Sequence, residues 1–276
     1  MPEGDSVWRA GRRLNRGLRE HLIVRSDFRV PRHATADLTG LRVRGTETHG
    51  KHLFTRFDDD LSLHTHLRMD GEWTVLGVGK RLPARLADNI RVLLETDGGQ
   101  LAVALRMPVV ELMRTSDEVR ITDLLGPDPL RHDWDATEAV RRLGADPARA
   151  LVAALLDQRL LAGLGNLWVN ELLFVRGHSP WTPACEVDLT RLVAMAVRML
   201  RQSITVRGNG QVTTGDPRAG HEHWVYGRSG QPCRRCGTAV RHVGEIPGDA
   251  ERRATWWCPS CQPGPGPDDH RRPGQR

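Results

Sequence analysis

The spacing of apolar positions changes along the chain, and the changes divide it into blocks. Val7, Ala10, Leu14 and Leu18 recur at helical spacing, so residues 5–20 read as an amphipathic helix with Asp5 or Ser6 as its cap. From residue 22 to about 121 the pattern is that of short strands. Leu41-Arg42-Val43-Arg44 and the run from His52 to Phe57 alternate or stay apolar, and Asp58-Asp59-Asp60 marks a turn. Leu61 to Met69 alternates cleanly, which sets His64, His66 and Arg68 on one strand face. Asp70-Gly71 then signals a hairpin into Glu72-Trp73-Thr74-Val75-Leu76, with Met69 at its tip. A second hairpin is expected at Asp97-Gly98-Gly99. Short strands with regular turns predict a β-sandwich or barrel.

Turn residues cluster at Gly126-Pro127-Asp128-Pro129, and beyond them the period is helical. Leu151, Val152, Leu155, Leu156 and Leu160 form one apolar stripe. Ala162-Gly163-Leu164-Gly165-Asn166 interrupts it, and 167–176 resumes as a helix stopped by Gly177. Leu189, Leu192, Val193, Ala196 and Leu200 predict a further helix capped at Asp188 or Thr190. Residues 206–222, polar and rich in glycine, are expected to be mobile. No repeat recurs at a fixed period.

Composition narrows the function classes. The 276 residues are long enough to bury a core, and no apolar run approaches the roughly 20 residues of a membrane span. The acidic start Met1-Pro2-Glu3-Gly4-Asp5 lacks the apolar region of a secretory signal, so a cytoplasmic protein of bacterial type is expected, with no membrane partner. Lys plus Arg number 40 against 34 Asp plus Glu, and the pI near 9.6 suggests a polyanionic partner.

Four of the five cysteines fall into two C-x-x-C pairs, Cys233/Cys236 and Cys258/Cys261, separated by residues 237–257. That spacing predicts one structural Zn²⁺ held by four thiolates with no open position for chemistry; an iron–sulfur cluster is the lesser alternative. Arg234, Arg235, Arg241, Arg252 and Arg253 surround the pairs and would suit a phosphate clamp. The glycine-containing turn before Asn166 leaves helix N–H groups available to an anion. Removal of Met1 would leave Pro2 as a secondary amine, and an α-amino group titrates near 8. Such an amine attacking a sugar C1′ forms an iminium that favours elimination of the 3′ phosphate, with Glu3 beside it to move protons.

These pieces occur in order: Met1-Pro2-Glu3-Gly4-Asp5, Gly50-Lys51-His52-Leu53, His66-Leu67-Arg68-Met69-Asp70-Gly71, Leu156-Asp157-Gln158 to Asn166, and Val225-Tyr226-Gly227-Arg228 through Cys261. Over residues 1 to about 262 the chain resembles the formamidopyrimidine-DNA glycosylase/endonuclease VIII family. The resemblance implies an α+β multidomain fold. It would comprise an N-terminal β-sandwich with its N-terminal helix (1–126), a helix–two-turn–helix domain (127–222), a zinc finger (223–262) and a disordered tail (263–276), with DNA held in a cleft. It implies a monomeric, nucleoid-associated bifunctional glycosylase and AP lyase acting on damaged DNA. Pro2 would be the Schiff-base nucleophile and Glu3 the acid/base. Lys51 would assist β-elimination, Arg253 would bind phosphate and assist δ-elimination, and Glu171 would support the site. Asn166, Arg68 and His66 would contact DNA, and Met69 would fill the gap left by an everted base. The Asp-Pro-Arg-Arg-Phe-Gly wedge of the formamidopyrimidine branch is replaced by Leu105-Arg106-Met107-Pro108-Val109-Val110-Glu111. Leu124-Leu125 stands where an arginine precedes the Gly-Pro-Asp turn in the endonuclease VIII pattern. The balance favours the endonuclease VIII branch and oxidised pyrimidines. The alternative is a non-catalytic damaged-DNA-binding protein with a zinc ribbon.

Overall fold

The computed structural model describes residues 2–206, 210–246, 249 and 251–269. Met1, residues 207–209 of the glycine-rich loop and residues 270–276 of the expected tail lie outside the described residues. The chain forms two compact units, Met1–Leu124 and Leu125–Arg276.

The first unit is a helix on a sandwich. Helix α1 (Gly4–Leu18) begins with Glu3 as its N-cap residue, two residues before Asp5 and three before Ser6. Asp5 instead sits inside the first turn, where its charge suits the helix dipole and pairs with Arg9 at 3.1 Å. The predicted stripe Val7, Ala10, Leu14 and Leu18 is buried to 1% exposure or less. Two antiparallel four-stranded sheets follow. One holds β1 (Ile23–Phe28), β6 (Ile90–Thr96), β7 (Leu101–Leu105) and β5 (Glu72–Leu76) in that order. The other holds β2 (Val43–His49), β3 (His52–Phe57), β4 (Leu61–His66) and β8 (Val109–Arg114). The expected β6–β7 hairpin forms at Asp97-Gly98-Gly99, with Gly99 at φ 77°.

The Asp70-Gly71 hairpin does not form. Strand β4 pairs with β3 and β8, whereas β5 pairs with β7 in the other sheet. Residues 67–71 therefore carry the chain from one sheet to the other, closed by Gly71 N–H donating to the Leu67 carbonyl at 2.8 Å. A Cβ on Gly71 would stand 2.6 Å from that carbonyl oxygen, so the turn needs glycine without being a hairpin. The period-2 signal placed the strands correctly, but their partners are set by which face each must bury.

The second unit is helical, with a small hairpin. Helices α3 (Ala136–Leu143), α4 (Leu151–Leu156), α5 (Asn166–Arg176) and α6 (Leu189–Thr205) follow the short α2 (Val119–Thr122) that ends the first unit. Leu151, Leu155, Leu164, Leu172, Leu192 and Leu200 form its core. Gly177 ends α5 at φ 72°, and Asp188 caps α6 by accepting from Arg191 N–H. Strands β9 (Arg241–Val243) and β10 (Thr255–Trp257) pair antiparallel between the two cysteine pairs.

The described parts of the polar loop and of the tail make hydrogen bonds. Within 206–222, Thr213 N–H donates to the Glu222 carbonyl at 2.9 Å and the Thr214 hydroxyl to the His221 carbonyl at 2.7 Å. The tail is docked as far as it is described: the Ser179 hydroxyl donates to the Pro265 carbonyl at 2.6 Å.

Candidate functional site

Helix α1 is fixed to β2 by an amide-to-backbone pair. Asn15 Nδ2 donates to the Thr46 carbonyl at 2.6 Å, and Thr46 N–H donates to Asn15 Oδ1 at 2.7 Å. One turn earlier, a Cβ on Gly11 would stand 2.8 Å from Thr48 Cγ2, so the helix lies almost on the strand there. The helix rises about 1.5 Å per residue and a strand about 3.3 Å, so four helical residues match two of the strand. Just beyond Thr48, β2 ends at His49 and the Gly50-Lys51 turn leads into β3. Glu3 is fully buried, and its carboxylate does not cap the helix. Pro2 is half-buried beside it.

The strands next to that turn carry a row of imidazoles. His52, His64 and Glu111 share one face of the second sheet, because His52 pairs with His66, Phe54 with His64, and His64 with Glu111. His52 Nδ1 lies 2.9 Å from His64 Nε2, and His64 Nδ1 lies 3.1 Å from Glu111 Oε2. His66 meets His52 edge-on at 4.7 Å and accepts the Arg68 N–H at 3.0 Å through Nδ1. Burial, and then the neighbouring His66, His64, His49 and Arg68, lower His52 to about 3. Burial, and then Arg68 and Lys51, lower His66 to about 4. Arg68 lies beyond the strand at φ 48° and so leaves the expected shared face. Met69 follows it, 59% exposed, at the tip of the sheet-crossing loop. Arg106 Nε donates to the Asp70 carbonyl of that loop at 3.4 Å, and Met107, where a wedge would stand, is buried.

In the second unit, Gln158 closes the double turn between α4 and α5. Its Nε2 donates to the Leu164 carbonyl at 2.8 Å, and its Oε1 accepts from Gly163 N–H at 3.0 Å. Gly126 packs on the same turn, where a Cβ would stand 2.6 Å from the Leu160 carbonyl carbon. Asn166 is 4% exposed, and its Nδ2 donates to the Ala254 carbonyl at 2.8 Å. Asn170, one turn on, donates to Asn166 Oδ1 at 2.9 Å and accepts from the Thr255 hydroxyl at 2.6 Å and Trp256 N–H at 2.7 Å. The two asparagines thus carry β10. The sequence points to Asn166; Asn170 carries only the signal of its spacing of four from it.

Glu171 is a buried keystone. One oxygen accepts from Val225 and Tyr226 N–H, both at 2.9 Å; the other accepts from Trp224 N–H at 2.8 Å and from the Thr213 hydroxyl. Its four partners are all supplied by the loop and the entry to the finger.

Cys233, Cys236, Cys258 and Cys261 bring their sulfurs within 4.8 Å of one another. Cys233 and Cys261 Sγ stand 3.9 Å apart, and Cys236 and Cys258 Sγ 3.5 Å. A tetrahedral ion with 2.3 Å bonds to sulfur separates its ligands by about 3.8 Å, so the four thiols fit one metal ion. The basic clamp is less available than composition implied. Arg234 Nε donates to the His223 carbonyl, Arg235 lies 4.5 Å over the Phe174 ring, and Arg252 pairs with Glu245. Arg253 holds Asp249 in a bidentate pair at 2.5 and 2.8 Å.

A terminal helix laid on a β-sandwich, a two-turn helical unit and a four-thiol hairpin together define a DNA-glycosylase fold. Residues 1–106 match the formamidopyrimidine-DNA glycosylase N-terminal domain, and residues 125–214 match the formamidopyrimidine-DNA glycosylase H2TH domain. The chain is 46% identical over 276 residues to the probable endonuclease 8 2 of Streptomyces coelicolor, covering 100% of this chain and 98% of that one. It is 42% identical over 265 residues to the DNA-(apurinic or apyrimidinic site) lyase Nei2 of Mycolicibacterium smegmatis, covering 95% and 99%. A solved complex of wild-type Lactococcus lactis Fpg (MutM) with an oxidized pyrimidine containing DNA aligns with a TM-score of 0.76 at 25% identity, covering 95% of this chain and 100% of that one. The chain belongs to the formamidopyrimidine-DNA glycosylase/endonuclease VIII family, on its endonuclease VIII-like branch. Among the described residues, no helix is long and apolar enough to cross a membrane.

Proposed function

We propose that the chain is a bifunctional DNA glycosylase and AP lyase, working as a monomer on DNA that carries oxidised pyrimidines. The observation that carries this reading is the burial of Glu3 at the start of a helix that Asn15 pins to Thr46, on the strand that leads into the Lys51 turn. Pro2, freed of Met1, attacks C1′ of the damaged nucleoside; the base leaves, and an iminium joins the chain to the sugar. Glu3, buried beside Pro2, protonates the sugar and later moves protons during elimination. Loss of a C2′ proton then expels the 3′ phosphate, and Lys51 stabilises its charge. Arg253 supports loss of the 5′ phosphate by exchanging or sharing the contact it makes with Asp249. Asn166, His66 and Arg68 position flanking phosphates, and Met69 fills the space of the everted base. Glu171 acts as a positioning residue, because its carboxylate is spent on the 224–226 backbone. The four cysteines hold Zn²⁺, which fixes the hairpin and supplies no step of the reaction.

Borohydride trapping on duplex DNA holding an abasic site tests the reading, alongside mass spectrometry of the N-terminus. A covalent adduct at Pro2 is expected. Tight binding of the damaged DNA with no adduct, from protein shown to start at Pro2, would establish the non-catalytic alternative instead.

A further inference from the structure

The hydrogen-bonded row Glu111–His64–His52 has one consistent polarity. A carboxylate only accepts, so Glu111 Oε2, 3.1 Å from His64 Nδ1, requires the proton to lie on Nδ1. A neutral His64 then offers a lone pair at Nε2, so the 2.9 Å contact is filled by the proton on His52 Nδ1. That leaves His52 Nε2 as an acceptor. His66 has the opposite sense: its Nδ1 accepts Arg68 N–H, so its proton lies on Nε2. The rings meet edge-on at 4.7 Å, one imidazole poised to take a proton beside one poised to give one. Stacking of His64 on Phe54 at 5.0 Å and of His52 on His64 at 5.2 Å holds the row rigid.

We propose that Glu111, His64 and His52 form a proton relay that opens at the Lys51 turn and serves the elimination steps, with His64 and Glu111 acting as positioning residues through His52. The proposal rests on the lyase reading above. In each elimination a sugar C–H bond breaks, its electrons form a C=C bond, and the C–O bond to phosphate breaks, leaving one proton to be removed. Received at His52 Nε2, directly or through water, that proton displaces the Nδ1 proton to His64 Nε2. His64 in turn passes its Nδ1 proton to Glu111. The Glu111 side chain is 38% exposed, so the proton leaves to solvent there or is returned by the same route when the imine is hydrolysed. Every charged group around the row bears on its strength. His49 on β2 and Arg68 on the sheet-crossing loop oppose protonation of His52, while Lys51 and Arg68 oppose that of His66. Burial lowers His64, and Glu111 and Glu118 partly offset it by favouring its protonation. Arg32 stands 3.9 Å from Glu111, and His33 accepts Leu112 N–H at 3.3 Å.

The test is single-turnover cleavage of abasic-site duplex from pH 5 to 9, with borohydride trapping measured in parallel. E111Q keeps the shape of the row but removes its charge, so His52 becomes a weaker acceptor. We expect elimination to slow about tenfold or more across this range, with the trapped fraction within about twofold of wild type. E111D should recover elimination toward the wild-type rate, and H64Q should behave as E111Q. The relay is overturned if E111Q and H64Q eliminate at the wild-type rate, or if trapping falls in step with elimination, which marks a structural role. Loss of trapping in the wild-type protein would instead overturn the lyase reading itself.

Discussion

Asn15 and Thr46 are joined twice, the side-chain amide of one matching both backbone groups of the other, at 2.6 and 2.7 Å. The pair sits next to the irregularity at Gly45 where β2 slips against β3, a point at which the ladder leaves backbone groups to be satisfied from outside. It therefore does for the helix what a register pin does for a strand. Asn15→Leu would leave a buried N–H and C=O unmet and should cost about 2–3 kcal/mol. The measurement is thermal denaturation together with trapping: both should fall, since a helix free to slide no longer fixes Pro2. A variant with normal trapping would show that Pro2 is placed by other contacts.

Glu171→Gln is expected to be severe for so small a change. With its oxygen still serving Val225 and Tyr226, the new amide nitrogen would face Trp224 N–H, donor against donor. A cost of about 2 kcal/mol is expected, with faster amide exchange at 224–226 and at the Thr213 loop. Unchanged exchange there would refute the keystone role.

The imidazole row sets an acid limit. The folded protein holds His52 near 3 and His66 near 4, below the ordinary 6.5, so it binds protons less readily than the unfolded chain. Unfolding therefore takes up protons as pH drops below about 6.5, and stability falls with pH through that range until about 4 for His66 and about 3 for His52. H52Q and H66Q should flatten the dependence of melting temperature on pH between about 4 and 6.5. A wild-type melting temperature that stayed level across this interval would contradict it.

Metal analysis should find one zinc per chain. Chelation, or Cys258→Ser, should weaken DNA binding and speed exchange in β9 and β10, while the β-sandwich unit keeps its protection. DNA binding that resists full metal removal would separate the hairpin from recognition.

Much of this was legible from sequence where one local period or spacing decides the outcome. The stripe Val7, Ala10, Leu14, Leu18 is buried as read, and C-x-x-C spacing brings four sulfurs together. Local signals failed where partners are chosen by packing. Asp70-Gly71 has hairpin chemistry, yet β5 crosses to the other sheet to bury Trp73, whose indole N–H reaches Thr65 at 3.1 Å. The arginines around the cysteines read as one basic surface, but Arg253 and Arg252 find carboxylates within a few residues, and Arg235 finds an aromatic ring. His64 and Glu111 are 47 residues apart, so no pattern along the chain could pair them before β4 met β8.

The hairpin of β9 and β10 hangs from α5 by Asn166 and Asn170. An oxidant coupling two of its sulfurs would shorten a gap of 3.5 or 3.9 Å to about 2.05 Å and strip the ligand set in the same event. The Ala254 carbonyl would then shift from under Asn166, 88 residues earlier in sequence. The ligand set and the Asn166 contact would thus be lost together, one coupled pair of sulfurs releasing both.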